Sequence, residues 1–585
     1  MTDNLLKSER NRVERKLKKA CKRAIANILY EGTSDVNPVI RPFEIELLED
    51  RQFREKLQQA TVGKILKSLY PDDPKDDVDI SPLRLQPIKH LLSPKKTLAD
   101  YRNASVIDIN DEIVYLTLAV YVANRIERRR WQCSKKVVYS YRWKVDEETG
   151  ALFSKDYSFE SFRKRKRELR EQKKYSVCVT CDVASYYDRL NLHRLESTLL
   201  SIDGINKRVV TLLNKMLLFW AGRNSYGLPV GSNASRILAE ALMIGIDDYL
   251  RRQVNQLDVA YCRFVDDFAI YAKDAKTANH FLEHLVNALR REGLFLNSGK
   301  TKVKDISFHE DPLNQSTKKD DSRPNCPMRA VKESEVISEG EVGPDLGSSG
   351  LKPAAHVFAS GYSGLIPLRY RSPSDSAAQS LREKSIDEMI NKATSAVLIN
   401  EGDDAKYQSI LQAMDAQGCF QLIYAAIRLL ELCPQFFPYT IDFLTKHESL
   451  IDERCKKAIA EYFETWLRDR ETPESIRVSI ARLFSLSSYT KPGVLSETYL
   501  DLSHNAGEYI GRALLECMDQ KLTRLEVLEL RDKVTSGDVA EIRALARLVF
   551  RTLPSGEANA WLRNMSIRYE DMFLDQIKHV YQAKG

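Results

Sequence analysis

Three carboxylates in this chain of 585 residues sit where carboxylates seldom do. Asp182 closes the apolar stretch "SVCVTCDV", and Asp266 and Asp267 stand side by side in "YCRFVDDFAIY". Of six Asp-Asp pairs, those at Asp72, Asp76, Asp320 and Asp403 lie in polar or Pro/Gly-containing stretches. Asp247-Asp248 reads as a solvated helical pair with Arg251 and Arg252 one turn on. Only Asp266-Asp267 has apolar or aromatic neighbours on both sides, so it requires a cationic partner or an exposed turn. Carboxylates gathered on adjacent strands repel one another unless metal joins them. Two oxygen-liganded Mg²⁺ ions about 3.5–4 Å apart would neutralise them, one activating a 3′ hydroxyl and the other holding triphosphate oxygens during in-line displacement. That is the chemistry of nucleotidyl transfer.

Such a site needs elements that converge. "YSVCVTCDV" reads as a strand, and "LHRLESTLLSI" and "DGINKRVVTLLNKMLLFW" as helices, the second capped by Asp203. A long helix starts at about Ser232, then come a strand, the Asp-Asp turn and a second strand. The helix "KTANHFLEHLVNALRREG" closes at Gly293, and "LFLNSGKTKV" reads as the last strand. The pattern is a split β-α-β-β-α-β unit, which brings Asp182 alongside Asp266. In "YGLPVGSNASRILAEAL" the small residues Gly231, Ser232, Ala234 and Ser235 make a flat helix start on which a nucleotide or base pair can lie.

The length calls for two to four domains. Residues 1 to about 145 read as mostly helical with a Pro-rich interruption, and 311–375, rich in Ser, Pro, Gly, Lys and Asp, as a linker or insertion. Residues 376–585 are helical, and "SIRVSIARLF" (475–484) and "EIRALARLVF" (541–550) share an apolar and arginine pattern that fits degenerate helical repeats. A plain bundle is the other reading. The net charge of +7 is concentrated in "RIERRRWQCSKK" and "FRKRKRELREQKK", which suggests a nucleic-acid partner. Ten scattered cysteines read as reduced thiols, and Cys178 and Cys181 as buried strand residues rather than zinc ligands. With no signal-peptide core and no bilayer-length apolar run, the expectation is a cytoplasmic protein without a membrane partner.

In order across about 130 residues, "CDVASYYDRL", "GLPVGSNASRILAEA", "RFVDDFAIYA" and "GLFLNSGKTKV" resemble the sequence blocks of reverse transcriptases. Val230 in place of the usual Gln, and "FVDD" in place of Tyr-x-Asp-Asp, bring the chain closer to the bacterial abortive-infection (Abi) and defence-associated reverse transcriptases. The resemblance implies an α+β fingers-palm fold followed by an all-α HEAT-like helical-repeat domain: fingers over 1–145, palm over 146–310, a linker over 311–375 and repeats over 376–585. It implies catalytic Asp182, Asp266 and Asp267, with Asp182, Asp266 and the Val183 carbonyl holding two Mg²⁺ ions. It implies nucleotide contacts from Arg142 in "VVYSYRWK", from Tyr187, which excludes a 2′ hydroxyl, and from Gly231. Lys300 would assist pyrophosphate departure, with Lys302 as alternative.

The implied function is dNTP polymerisation in antiphage defence, untemplated or protein-primed. The DNA product could be covalently attached, RNA is a further implied partner, and the chain would assemble as a trimer or hexamer. No primer-grip or thumb block is recognisable after Val303. Tyr30 and Tyr70 are the tyrosines to test for priming. The alternatives are a template-copying reverse transcriptase with a dedicated non-coding RNA, its thumb hidden in 304–375, and an inactive polymerase domain on a nucleic-acid-binding scaffold.

Overall fold

Asp50 and Asp108 each accept hydrogen bonds from the first backbone N–H groups of a helix, and these two caps frame the N-terminal third. In the computed structural model the described residues are 2–36, 39–71, 77–94, 101–222, 224–306, 370, 372–398, 404–486, 488–489, 492–502, 508–518, 522–534 and 538–582. Helices α1 (Thr2–Glu31), α2 (Glu44–Leu47) and α3 (Arg51–Leu69) precede an antiparallel hairpin of β1 (Lys89–Pro94) and β2 (Tyr101–Val106). The sequence reading held no strand here. Leu91 and Ala104, opposite each other in the hairpin, are both buried, so a single apolar cross-strand pair anchors a polar ribbon. Helix α4 (Ile109–Arg129) is buried through most of its length up to Ala123 and packs on α1; α5 (Phe159–Arg170) holds the basic run and buries only Phe162 and Leu169.

Strand β3 (Val177–Asp182) buries Val177, Val179 and Cys181 on one face, while on the other Cys178 is buried and Thr180 and Asp182 are partly exposed. It is followed by the short α6 (Tyr186–Arg189), then α7 (Leu192–Leu200), α8 (Lys207–Ala221) and α9 (Asn233–Leu257). Next come β4 (Ala260–Phe264), β5 (Asp267–Ala272), α10 (Ala275–Arg291) and β6 (Lys302–Asp305). The sheet order is β4-β5-β3-β6 with every pairing antiparallel, the split β-α-β-β-α-β arrangement expected.

Two local readings differ. Asn206, not Asp203, caps α8, because the left-handed Gly204 turns the chain after Asp203 and places the Asn206 side chain under the Val209 N–H. The last strand begins at Lys302 rather than in "LFLN": the Asn297 side chain accepts from Gly299 N and folds 297–300 into a turn. Residues 295–297 run beside β3's end: Ala184 N–H donates to Phe295 O at 2.8 Å, Val183 bridges to Leu296, and Asn297 N–H donates to Asp182 O at 2.8 Å.

Of the expected linker, residues 311–369 and 371 lie outside the described residues. From Asp375 on, every described element is helical. Helices 437–446, 474–484, 510–517, 539–552 and 572–582 pack each on the next, and helices 453–468, 492–500, 524–533 and 555–569 form a second layer beside them. The shared arginine pattern turns inward: Arg477, Arg482, Arg512, Arg543 and Arg547 are all buried. Arg543 donates to Asp571 and to Asp108, the cap of α4, and Arg512 donates to Glu44 of α2 at 2.7 Å. These ion pairs join the helical region to the N-terminal third. Among the described residues no helix is long and apolar enough to cross a membrane.

Candidate active site

The antiparallel register sets Asp182, the last residue of β3, directly opposite Asp267, the first residue of β5. Between β4 and β5 the chain reverses in two residues, Val265 and Asp266. Val265 has φ +54°, a conformation costing a β-branched residue about 1–3 kcal/mol. Two bonds hold it there: Arg263 Nη1 donates to Val265 O at 3.3 Å, and Val183 N–H donates to Asp266 O at 3.2 Å. Asp182, Val183, Asp266 and Asp267 thus share one end of the sheet.

The electrostatics of this corner are those of crowded acids. Burial, then the charges of Asp267 and Asp182, push the Asp266 carboxyl up to about 7, with its own backbone N–H and Lys300 opposing. Burial and then Asp182 raise Asp267, which Lys166 and Lys300 relieve in part. Lys300 Nζ donates to Asp182 Oδ2 at 3.0 Å, while Asp182 Oδ1 is buried without a hydrogen-bond partner. Among the described residues no three His, Cys, Asp or Glu side chains form a ready metal-holding group. The donor set still suits a hard divalent cation: three carboxylates that repel, one with an unsatisfied buried oxygen.

The nucleotide contacts expected from sequence fall in different places. Tyr187 is partly buried beside Tyr186, and burial followed by the nearby Tyr141 raises its hydroxyl well above the usual range, with Asp266 adding a smaller push. Lys300 is more than half exposed and lies at Asp182. Arg142 is not offered to a triphosphate: it is buried, with Nη1 on Glu127 Oε1 at 3.0 Å, Nη2 on Trp131 O at 2.5 Å and Nε on Val138 O at 3.0 Å. Gly231 lies under residues 34–36, where an added Cβ would collide with Ser34 Oγ. The flat helix start is therefore covered by the chain itself. Lys302 and Lys304 are exposed on β6, and of the two tyrosines proposed for priming the Tyr70 hydroxyl is buried while Tyr30 is half-buried.

The cations that act on Asp266 and Asp267 are Lys300 and Lys166, and the arginine inside the quoted motif serves other acids. Arg263, fully buried on β4, forks onto Asp247 and onto Glu240 of α9, with Nη2 2.7 Å and 2.9 Å from their carboxylates. Arg130 Nη2 adds a bond to Glu240 at 2.7 Å. Burial pushes Glu240 upward, but Arg130 and Arg263 outweigh it and hold the carboxyl below its ordinary value. Asp247 is thus an interior residue, not a solvated one, and only Asp248 faces Arg251. The signal was legible: Glu240 and Asp247, two turns apart on one face of an apolar helix, facing an arginine in an apolar strand. This network supports the turn that carries Asp266.

Residues 94–319 match the family model described as reverse transcriptase (RNA-dependent DNA polymerase). A comparison with curated proteins gives no match. Among solved structures, the chain is similar to apo telomerase from Candida tropicalis truncated from its C-terminal domain, at 14% identity and TM-score 0.27, covering 40% of this chain and 52% of that one. It is similar also to Candida albicans telomerase in complex with a TWJ fragment of telomeric RNA, at 14% identity and TM-score 0.29, covering 69% and 68%. Full apo telomerase from Candida tropicalis gives 12% identity and TM-score 0.28, covering 74% of each chain. The chain thus spans about half the length of the first of these structures. The acidic corner formed by Asp182, Asp266 and Asp267 falls wholly within residues 94–319, the span that matches the reverse-transcriptase model.

Proposed function

We propose that the protein is a DNA polymerase whose Asp182, Asp266 and Asp267 carry dNTP polymerisation. The observation that supports this most is the register of Asp182 against Asp267 with Asp266 at the adjoining turn, which gathers three acids on one sheet end. Asp182, Asp266 and the Val183 backbone would hold divalent metal, and Asp267 would adjust the charge beside them. When bound, Mg²⁺ would lower the pKa of the attacking hydroxyl and neutralise the triphosphate. Lys300, which bonds Asp182 at 3.0 Å, would stabilise charge on departing pyrophosphate. Tyr187, five residues after Asp182, would close off the space of a 2′ hydroxyl.

The defence role rests on "GLPVGSNASRILAE", "RFVDDF" and the helical C-terminal region, which resemble the Abi group. Untemplated or protein-primed synthesis, a HEAT-like repeat domain, a trimer or hexamer, and the domain limits 1–145, 146–310, 311–375 and 376–585 belong to the same reading. The test is incubation of purified protein with dNTPs and Mg²⁺, with and without nucleic acid, beside Asp266→Asn, with products examined before and after proteinase digestion. Template-free product that stays bound to protein until digestion is expected. Dependence on RNA would replace protein priming by template copying, and no incorporation under any condition would end the polymerase reading.

A further inference from the structure

Phosphate entering near Asp266 needs a cation. Arg142 is engaged inside the protein, and Lys300 bonds Asp182. One turn into α9, Arg236 carries a guanidinium 5.0 Å over the Tyr141 ring. Its Nη1 donates to Asn233 Oδ1 at 2.7 Å and its Nη2 to the Asp35 carboxylate. Tyr141 packs in turn on Phe264, the last residue of β4 and two residues before Asp266, with ring centroids 5.9 Å apart, so Arg236 borders the acidic end of the sheet.

Its anionic partner comes from far away in the chain. Asp35 lies 201 positions earlier, in the loop between α1 and α2, outside any helix or strand. Its side chain is 43% exposed, against 16% for Arg236. Ser34, its neighbour, fills the space over Gly231. A carboxylate and a phosphate offer the same pair of oxygen acceptors to a guanidinium fork. Asp35 is the solvent-facing half of the pair, so an incoming phosphate can displace it without leaving a carboxylate buried and unpaired.

We propose that Arg236 is a phosphate-binding residue of this site and that Ser34 and Asp35 form a strap that holds the phosphate's place, so that Asp35 and the ligand compete for one guanidinium. The inference builds on the polymerase reading for its location. The phosphate is that of a nucleoside triphosphate or of a nucleic-acid backbone, and two binding arms distinguish them.

The experiment measures binding of Mg²⁺-dTTP and, separately, of a fluorescein-labelled single-stranded oligodeoxynucleotide to the full chain, comparing wild type with Asp35→Asn, Arg236→Gln and Arg236→Lys. The expected result is opposite signs: Asp35→Asn tightens one of the two ligands by about tenfold and Arg236→Gln weakens the same ligand by about tenfold, with Arg236→Lys between. The ligand that responds identifies the source. A merely structural ion pair would make both variants bind more weakly, and that result, or unchanged affinity for both ligands, overturns the proposal. Asp35→Asn keeps the size of a loop residue, so its sign decides the matter even where Arg236→Gln fails to fold. Binding is read without turnover, so a protein that incorporates no nucleotide would lose the polymerase reading while this result stood.

Discussion

Arg263 meets Asp247 inside the protein, Nε 3.0 Å from Oδ1 and Nη2 2.7 Å from Oδ2, and the same guanidinium reaches the Val265 carbonyl in the turn before Asp266. Arg263→Met would leave Asp247 without this partner and Glu240 with only Arg130 and Ser140. Breaking one side of a buried pair costs about 3–5 kcal/mol. Denaturant unfolding should show that loss, and adding Glu240→Gln with Asp247→Asn should recover part of it. A single variant as stable as wild type would contradict the support assigned to this network.

Lys300 and Arg142 should separate cleanly. Lys300 is largely exposed, so Lys300→Met should change stability by less than about 0.5 kcal/mol. It should lower the maximal rate of nucleotide incorporation by about tenfold or more through lost charge at Asp182. Arg142→Met removes bonds to Glu127, Trp131 and Val138. It should cost about 3 kcal/mol of stability while leaving the KM for dNTP of the folded fraction unchanged. A specific rise in KM for Arg142→Met would show that this arginine leaves its buried position to meet nucleotide.

Tyr187→Ala should admit ribonucleotides, raising the ratio of rNTP to dNTP incorporation by about tenfold or more. Competition between labelled dCTP and rCTP reads this directly. An unchanged ratio would remove Tyr187 from the sugar-selecting role.

Glu112 supplies a pH dependence. Its Oε1 accepts from Ser232 Oγ at 2.7 Å, its Oε2 is buried without a partner, and burial pushes the carboxyl from 4.5 up to about 8. A carboxyl raised on folding binds its proton more tightly in the folded state. The cost to stability is therefore absent below about pH 4.5, grows as pH rises and is complete above about 8. Glu112→Gln should stabilise the protein at pH 8 by about 2–4 kcal/mol and by nearly nothing at pH 4.5. Thermal unfolding of both proteins across that range checks it, and a pH-independent difference would exclude an ionising Glu112.

Features set by short stretches were legible in the chain alone. The apolar run ending at Asp182, the hairpin with Asp266 in its turn, the helix start at about Ser232 and the helix end at Gly293 all appear as read, because periodicity, capping and turn chemistry act over a few residues. The β-α-β-β-α-β order followed from those elements; it set Asp182 alongside Asp266, whereas the register pairs Asp182 with Asp267, the next residue. Tertiary structure decided which charges are interior. Asp247 looks like any acid near arginines on a helix until β4 brings Arg263 against it. Arg142 looks like a phosphate ligand until α4 presents Glu127. Gly231 looks open until a loop some 200 residues earlier lays Ser34 on it. The cost of burying a charge and its relief by a partner depend on which surfaces meet, and that is a property of the packed chain rather than of any segment.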